Sequence, residues 1–583
     1  MSIILMDNRD KAELQESIQA VSNRVDELSG SSLVEPTQYD VPRVYINGAI
    51  PESKAEVLAK LTYISNTHSF DAYITIKCQG TSSLSYPKKN FTVKLYEDKD
   101  RSIKLKKNFK GWGSQNKFCL KANWMDISHA RNVVSAKLWA DVVKTRSDYN
   151  SLPEELRTSP NQGAVDGFPV KVYCNGIYWG RYTWNIPKDA WMCNMDDSLE
   201  THCILGSEDY VSGCFRANAV IDESDWTDEL HDEVPDSIVT SFNNAINFVM
   251  NSSDDEFVTN IDNYFNLSSL IDYYCFSYAI CHLDGLGKNQ LFFTYDGVHW
   301  IASAYDLDST WGLYWNGESF VSDEYRMQED YEVAVHNTTN LLYERLAILF
   351  EECIKERWIE LRNGALSIVN INNRFEQFGD VCPPYVVSED YAPTTGNGSF
   401  TGIPSANSNN IRQICNYAVK RLKYVDSQIS PINYTETIIR ENYSPNGAEW
   451  VDTETINFAN GDYIEVSIDL SGCVNTNENI LSVGDDISVW SAPIGVYHLY
   501  YTRSTGILEL NSVLGGGIAR SSIAITDDTV VIKVNSSGLY VNGDLKISSG
   551  GVSNVTNIEI GSAEGATRSN ATYNYVKVAK GQI

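Results

Sequence analysis

The chain has 583 residues, of which 43% are hydrophobic and 11% aromatic, and its formal net charge is -30. This length and composition predict about two to four globular domains, each able to bury a core. The acidic charge excludes nonspecific binding to nucleic acid, and no apolar run reaches the roughly 18 residues of a membrane span.

Residues 1–30 are predicted to form a separate helical segment for oligomerisation or docking. Its apolar residues are spaced 4, 3, 4, 3, as in a short coiled coil: Leu14, Ile18, Val21, Val25 and Leu28. So short a seam is unstable as a lone helix. The helix therefore either docks on its own domain or forms a homo-oligomer, a dimer or a trimer, through residues 14–28. Residues 31–40 are predicted to be a linker.

The N-terminal sequence and the cysteines indicate where the protein is made. MSIILMDNRDKAE contains an apolar run that is far too short for a signal peptide, and acidic residues follow at once. The twelve cysteines are scattered and include no CxxC pair. We therefore expect a protein made in the cytoplasm, with mostly buried and reduced thiols and without the paired ligands of a structural zinc site.

Residues 41–430 are predicted to form a domain of mixed strands and helices. VPRVYING, FDAYITIKCQG and NFTVKLY have the apolar alternation of strands. Residues 88–121 carry ten lysines and Arg101 against three acidic residues, so 11 − 3 gives a local charge of +8. Either these lysines protect an exposed edge strand, or they attract phosphates that the backbone N–H groups of Gly80 to Ser83 also contact.

Three further segments have recognisable patterns. KFCLKANWMDISHARNVVSAKLW predicts a strand followed by a helix, with Ser128 as the expected N-cap. GFPVKVYCNGIYWGRYTWNIP predicts a hairpin that turns at Asn175–Gly176. Residues 196–236 contain thirteen Asp or Glu and one basic residue, Arg216, which predicts a solvated insertion. Calcium binding is the alternative there, although EF-hand spacing is missing. Residues 236–283 and 338–370 have helical patterns.

The segment HLDGLGKNQLFF carries the first part of a candidate catalytic site. His282, Asp284 and Asn289 have the H-x-D-x4-N spacing of the catalytic loop of protein kinases. At this spacing Asp284 would accept the proton of an attacking hydroxyl, while Asn289 would hold a metal ion on the phosphates. Lys288 lies between them and would neutralise the transferred phosphoryl group.

The segment WIASAYDLDSTWG supplies the second part. A predicted strand ends there in Asp306 and Asp308, which would grip the metal ion from another element. The alternative is that these carboxylates only cap turns. The order of the Gly/Ser turn, the basic strand, the H-x-D-x4-N loop and the aspartates favours a site for a nucleotide and a metal ion.

These motifs together resemble the spore coat protein H (CotH) family of atypical kinases. They occur in the family's order: QGTSSLSYPKKNFTVKL, LKANWMDISHARNVVSAKLW, VKVYCNGIYWGRYTW, HLDGLGKNQLFF and SAYDLDSTWG. The resemblance covers residues 41–430. It implies an α+β atypical kinase-like domain, ATP with magnesium or manganese as cofactor, and phosphoryl transfer to protein hydroxyls.

The resemblance also implies roles for individual residues. Asp284 matches the catalytic aspartate, and Asn289 and Asp306 match metal ligands, with Asp308 as a second candidate. The residues expected on the nucleotide side are Gly80, Ser82, Ser83, Lys88, Lys89, Lys121 and Arg131. One departure concerns the end of the hairpin, where family members commonly carry a glutamate and this chain has Asn185 and Ile186. For that reason we expect ATP binding to be kept and phosphoryl transfer to be slow or absent.

Residues 431–583 are predicted to form an all-β sandwich. YIEVSIDL alternates between apolar and polar residues, and GLYVNGDLKI predicts a hairpin that turns at Asn542–Gly543. The region resembles concanavalin A-like and laminin-G-like sandwiches, many of which are lectins. Four aromatic residues would either stack on a sugar or pack in the core: Trp490, Tyr497, Tyr500 and Tyr501.

Two classes of function compete for the whole chain. The first is a bacteriophage virion protein, such as a tail or head fibre or a host-attachment protein. Its partners would be other virion proteins and a host surface glycan, and it would be virion-associated. The second is an active atypical protein kinase whose sandwich recruits the substrate. The short N-terminal coiled-coil-like helix, the reduced cysteines and the lectin-like C-terminal domain favour the first.

Overall fold

A computed structural model describes two stretches of the chain. The first covers residues 33–34, 41–80, 82–216, 225–314, 317, 320–328, 339–381 and 410–429. The second covers residues 436–443, 449–457, 463–473, 478–484, 496–514, 517–525, 528–535, 538–548, 554–560 and 571–579. The predicted coiled coil at residues 1–30 lies outside the described residues.

The described residues form two compact units in a mixed α+β fold. The first unit contains the described residues up to Arg357, residues 377–381 and Asn410. The second contains residues 358–376 and the described residues from Ile411 onward. The domain boundary placed at residue 430 from the sequence stays a prediction.

A closed barrel of seven strands, ordered β2-β3-β4-β5-β7-β9-β8, dominates the start of the first unit. The strands of this region are β1 Leu33–Val34, β2 Arg43–Gly48, β3 Val57–Ile64, β4 Ser69–Gln79, β5 Asn90–Tyr96, β6 Asn108–Phe109, β7 Lys117–Lys121, β8 Gly167–Cys174 and β9 Ile177–Asn185. Barrel neighbours are antiparallel, except that β2 and β8 pair in parallel and close the barrel. Because β5 and β7 each have a partner on both sides, the lysines on them do not protect an exposed edge. That interpretation was wrong.

Alternation along the strands separates the barrel core from its outer face. Phe91, Val93 and Leu95 are fully buried in the core, as their spacing predicted. The same rule turns Thr92 and Lys94 of β5 to the outer face, because successive side chains of a strand point to opposite sides. The outer face of β4, β5 and β7 therefore carries the polar residues of the basic segment.

The hairpin between β8 and β9 is confirmed. Asn175 and Gly176 have φ values of 49° and 81°. Both lie in the left-handed region that a two-residue type I′ turn requires, which asparagine and glycine adopt most readily.

Ten α-helices are described. They are α1 Arg131–Lys144, α2 Glu154–Thr158, α3 Tyr210–Gly213, α4 Asp236–Asn251, α5 Asp254–Asn260, α6 Leu267–Ile280, α7 Leu341–Leu349, α8 Glu351–Arg362, α9 Ile368–Val381 and α10 Ile411–Ile429. The expected N-cap of α1 was wrong. The helix begins at Arg131, and the carboxylate of Asp126, not Ser128, accepts its first N–H at 2.9 Å. Among the described helices, none is both long and apolar enough to cross a membrane.

A sheet of four strands, ordered β11-β10-β12-β13, follows the barrel. Its strands are β10 Cys203–Ser207, β11 Trp226–Asp228, β12 Gln290–Thr294 and β13 Ile301–Ala304. The predicted solvated insertion at residues 196–236 was therefore wrong for part of its length. All five residues of β10 are buried, and Trp226 is fully buried. Because the segment is rich in acidic residues, its short apolar strands were not recognised from the sequence.

The second unit contains the predicted sandwich of two six-stranded sheets, β14-β25-β16-β21-β22-β23 and β15-β24-β17-β18-β19-β20. Its strands are β14 Glu436–Tyr443, β15 Glu449–Asn457, β16 Tyr463–Asp469, β17 Glu478–Gly484, β18 Val496–Thr502, β19 Ile507–Leu514, β20 Gly517–Ala524, β21 Thr529–Asn535, β22 Gly538–Val541, β23 Asp544–Ser548, β24 Asn554–Ile560 and β25 Thr572–Ala579. The apolar face of YIEVSIDL lies in the core as predicted: Ile464, Val466, Ile468 and Leu470.

Two of the four aromatic residues considered for sugar stacking are buried. Tyr500 is 8% exposed and Tyr501 is 3% exposed, and Tyr501 belongs to the core of the sandwich. Their alternative placement in the core is therefore the observed one. Trp490 and the side chain of Tyr497 lie outside the described residues.

The prediction of buried, reduced thiols is confirmed for the described cysteines. All of them are buried except Cys353, and none is in a disulfide.

Candidate functional site

The loop between α6 and β12 carries the first site residues. The amide of Asn289 donates a hydrogen bond to the Asp284 carboxylate at 3.4 Å, and the backbone N–H of Lys288 donates to the Asp284 carbonyl at 2.7 Å. Asn289 has a φ of 58°, in the left-handed region that asparagine tolerates better than most residues. This tight turn returns Asn289 to the side of Asp284, so the predicted pair lies together.

The turn after β13 carries Asp306 and Asp308, and the start of α1 holds it in place. Asp306 has a φ of 55°. The side chain of Asn132 accepts a hydrogen bond from the Leu307 N–H at 3.2 Å, and the Arg131 guanidinium donates to the Thr310 carbonyl at 3.0 Å. The helix start therefore fixes the backbone on both sides of Asp308.

Charges from both segments act on the Asp308 carboxylate. The pKa of Asp308 is raised well above its usual value, first by burial and then by the negative charges of Asp306, Asp126 and Asp284, while Lys121 opposes the shift. Such coupling requires the charges to lie near each other. We refer to Asp284, Asp306 and Asp308 as the acidic cluster, because the charges of the first two act on the third, and Lys121 of β7 supplies the opposing positive charge.

His282 is part of the same cluster but not of its surface. It is 1% exposed, and burial lowers the pKa of its imidazole to about 4, against the opposing charge and backbone of Asp306. The neutral imidazole packs between the loop and the Asp306 turn and makes a polar contact with the Asp306 backbone.

The Gly/Ser turn is built around Gly80. Gly80 has a φ of 108°, and a Cβ there would lie 1.9 Å from the Ser83 hydroxyl. Ser82–Ser85 form a 3-10 turn. The pKa of the following Tyr86 is raised to about 12 by burial and by the charges of Asp308 and Asp306. The turn is therefore compact at Gly80, and the charges of Asp306 and Asp308 act on the tyrosine that follows it.

Three of the predicted nucleotide-side cations bind the protein backbone. Lys88 is 7% exposed, donates to the Arg181 carbonyl and lies 4.5 Å from the centre of the Tyr182 ring. Lys89 donates to the carbonyl groups of Leu84 and Tyr86 and so shapes the turn. Arg131 is fully buried. Contact of these three side chains with a nucleotide stays a prediction.

A pocket of about 300 Å³ adjoins Gly80 on the outer face of the barrel. Thr92 of β5 and Cys119 of β7 contribute to its wall. It is rich in lysine, and its lining includes Lys54, Lys77, Lys94, Lys117 and Lys188. Three of these lysines are paired with acidic residues at 2.5–3.0 Å: Lys94 with Glu56, Lys117 with Asp189 and Lys188 with Glu229.

The departure at the end of β9 has a structural explanation. Ile186 is 1% exposed and belongs to the barrel core. Asn185 is also 1% exposed, and its amide oxygen and nitrogen have no hydrogen-bond partner among the described residues. An isoleucine at position 186 is thus a core residue of the barrel.

The sequence motifs missed one residue that organises the site. Asp126 is 1% exposed and accepts hydrogen bonds from the Arg131 backbone and guanidinium and from Ser128. Its charge also contributes to the raised pKa of Asp308. The residue could have been recognised in the sequence as a carboxylate shortly before the Arg-Asn pair at a predicted helix start.

Comparisons with known proteins come from three sources. The family model of the CotH kinase protein matches residues 76–425. The curated proteins contain no match. Among solved structures, Trypanosoma rangeli sialidase is similar at 14% identity and a TM-score of 0.17, over 21% of this chain and 21% of that one. The CBM40 domain of Ruminococcus gnavus IT-sialidase is similar at 15% identity and a TM-score of 0.17, over 24% of this chain and 94% of that one.

A third solved structure is the fructofuranosidase from Schwanniomyces occidentalis. It has 9% identity and a TM-score of 0.19, over 26% of this chain and 34% of that one. The chain thus spans about a fifth of the length of the Trypanosoma sialidase and about a third of the fructofuranosidase. TM-scores of this size do not define the fold of the chain.

Proposed function

The chain belongs to the CotH kinase protein family, and we propose that its first unit binds a nucleoside triphosphate with magnesium or manganese and transfers the terminal phosphoryl group to a protein hydroxyl. The observation that carries the proposal is the acidic cluster, in which burial and neighbouring negative charges raise the pKa of Asp308. Such crowding of carboxylates is relieved when a cation binds.

The donor set of the cluster fits a magnesium–nucleotide complex. Among the described residues, no three His, Cys, Asp or Glu side chains lie close enough to hold a metal ion by themselves. Magnesium in nucleotide sites is typically held by one or two carboxylates together with phosphate oxygens and water. Asp306 and Asn289 would supply the protein ligands, with Asp308 as a further candidate. The bound metal ion would neutralise charge on the phosphates.

Other side chains of the chain have distinct roles in this proposal. Asp284 would accept the proton of the attacking hydroxyl, and Asn289 holds its carboxylate by the hydrogen bond of 3.4 Å. Lys121 faces the cluster from the barrel and would lie on the phosphate side. The Gly80 turn would bring backbone N–H groups to the phosphates, because a side chain at Gly80 would collide with Ser83.

The placement of Ile186 changes the expected rate. The sequence suggested that a missing carboxylate at this position would slow transfer. A side chain within the barrel core can neither orient a lysine nor hold a metal ion in the cluster. Burial of Ile186 therefore removes the argument drawn from that residue alone, and we propose active transfer.

Binding and transfer are tested together with two substitutions. Calorimetry of the full chain should detect ATP binding that requires magnesium or manganese, and Asp306→Ala should abolish it. Asp284→Ala should keep ATP binding but lose phosphate transfer from radiolabelled ATP, because it removes the proton acceptor and leaves the proposed metal ligands. Absence of ATP binding would refute the site. Transfer that survives in Asp284→Ala would refute the role of that residue.

A second candidate function concerns the whole chain. We also propose that it is a bacteriophage virion protein, supported by the predicted coiled coil at residues 14–28 and by the terminal sandwich. Deletion of residues 1–30 should leave both units folded but abolish oligomerisation or incorporation into particles. Sedimentation and co-purification with virions measure this. Identical oligomeric state and incorporation of the deleted and full chains would refute the docking role.

A further inference from the structure

The loop that carries Asp284 is held from behind by side chains of several elements. Three consecutive carbonyl groups, those of residues 285–287, each accept a hydrogen bond from a buried side chain. The donors are Tyr273 of α6 to Gly285 at 2.6 Å, Asn340 to Leu286, and Ser207 of β10 to Gly287 at 2.9 Å. Backbone carbonyls in a buried loop need such partners, and here they come from side chains.

Asn340 makes the largest number of these connections. It is fully buried. Its amide nitrogen donates to the carbonyl groups of Leu286 and Gly213, and its amide oxygen accepts the Tyr343 N–H at 3.3 Å to start α7. Its backbone N–H donates to the Gln328 side chain at 3.0 Å. One residue therefore joins the loop of Asp284, the end of α3, the start of α7 and the segment after the Asp306 turn.

Close packing adds to these hydrogen bonds. A Cβ at Gly213 would lie 1.6 Å from the Gly287 carbonyl oxygen, so the backbone of α3 lies directly against the loop. Gln290 donates to the Gly213 carbonyl at 2.7 Å and to the Gly287 carbonyl at 3.3 Å. The amides of Gln290 and Asn340 thus both connect the end of α3 to the loop.

We propose that Asn340 is a positioning residue that sets the rate of phosphoryl transfer by fixing the loop of Asp284, without contacting the nucleotide. The inference rests on the proposed function. Without the Asn340 amide, the Leu286 carbonyl loses this donor and the middle of the loop is held less firmly. Displacement of a reacting group by about 1 Å costs about 100-fold in rate, whereas nucleotide affinity depends on Asp306 and the phosphate side.

The substitution Asn340→Asp separates the two halves of this side chain. Aspartate keeps the acceptor that caps α7, and it is an equally good N-cap. It replaces the donating amide with an acceptor that faces the carbonyl groups of Leu286 and Gly213. The helix start is therefore kept while the hold on the loop is lost.

A matched control exists at the start of α6. Asn266 is also an N-cap, accepting the Ser269 N–H at 2.7 Å, and its amide nitrogen donates to Asp148 at 2.8 Å, away from the loop. Asn266→Asp makes the same chemical change and places two carboxylates together. It should lower stability without changing the loop.

The experiment uses the full chain and two measurements. In Asn340→Asp, hydrogen exchange of the peptide that contains residues 284–289 should be faster than in the wild type. The kcat for transfer from ATP should fall about 100-fold, with KM for ATP within about threefold, while Asn266→Asp keeps both near the wild-type values. If Asn340→Asp does not fold, Tyr273→Phe removes only the donor to Gly285 and should change both measurements in the same direction.

Several results would overturn the inference. Unchanged exchange in Asn340→Asp would show that the residue does not hold the loop. Faster exchange with unchanged kcat would show that the hold does not set the rate. Equal losses of kcat in Asn340→Asp and Asn266→Asp would indicate general destabilisation. A wild-type chain that transfers no phosphate would refute the proposed function instead, and the exchange comparison would still decide whether Asn340 holds the loop.

Discussion

The buried ion pair of Asp126 and Arg131 allows a prediction whose size follows from the structure. The two side chains are 1% and 0% exposed, and the guanidinium Nη1 lies 2.5 Å from the carboxylate. Asp126→Ala removes the carboxylate of this buried pair and leaves the guanidinium in place, which costs about 3–5 kcal/mol. It also removes the acceptor of the first N–H of α1, which adds about 1 kcal/mol. We expect the free energy of unfolding of the first unit to fall by about 4–6 kcal/mol.

The assay is urea unfolding followed by tryptophan fluorescence, because most tryptophans of the chain precede residue 358. The double variant Asp126→Ala/Arg131→Met should recover much of the loss, since the buried guanidinium is then removed together with its carboxylate. Its metal-dependent ATP affinity should be lower than that of the wild type, because the hydrogen bond from Arg131 to the Thr310 carbonyl is gone.

A matched pair tests the role of burial. Arg503 and Asp528 of the sandwich also lie 2.5 Å apart, but they are 41% and 55% exposed. Asp528→Ala should not measurably change stability, because water screens an exposed pair. The reasoning would be refuted if Asp126→Ala and Asp528→Ala had similar effects, or if the double variant were no more stable than Asp126→Ala.

Three other predictions use different parts of the molecule. Gly285→Ala should abolish phosphate transfer, because the added Cβ would lie 2.2 Å from the His282 ring. The control Gly364→Ala should leave transfer normal, because its Cβ would lie 3.5 Å from the nearest atom. Burial raises the pKa of Glu229 and Lys188 opposes this, so Lys188→Met should raise that pKa further. The urea midpoint of Lys188→Met should then be lower than that of the wild type, and the difference should be larger at pH 7 than at pH 4. An equal difference at the two pH values would contradict this. Ile468→Ala should cost the sandwich about 2–5 kcal/mol in urea unfolding, whereas Ile177→Ala, at a residue that is 54% exposed, should cost little.

The sequence predicted the local parts of the site because they depend on short spacings. Asp284 and Asn289 belong to one loop, and Asp306 follows a strand whose apolar run is visible. The two hairpins with Asn-Gly turns were predictable for the same reason, since few other residue pairs adopt two left-handed φ values in succession.

Features that depend on distant contacts were not predictable. Ser128 and Asp126 are both suitable caps, and only the buried guanidinium of Arg131 decides in favour of the carboxylate. The place of Ile186 in the barrel core depends on strands that are distant from it in the chain. The role of Asn340 depends on a carbonyl group at Leu286, far away in the chain, and no local pattern marks it.

The closure of the barrel has a consequence for how the protein is made. Residues 43–46 of β2 pair with residues 171–174 of β8. During synthesis, the edge of β2 therefore stays unpaired until the ribosome has released the whole of β8. The intervening strands form an open sheet until then. Open edges of this kind pair readily with other chains. Slower translation before residue 171 should thus reduce the yield of folded protein more than an equal delay after residue 185. A shortage of chaperones should reduce the yield as well.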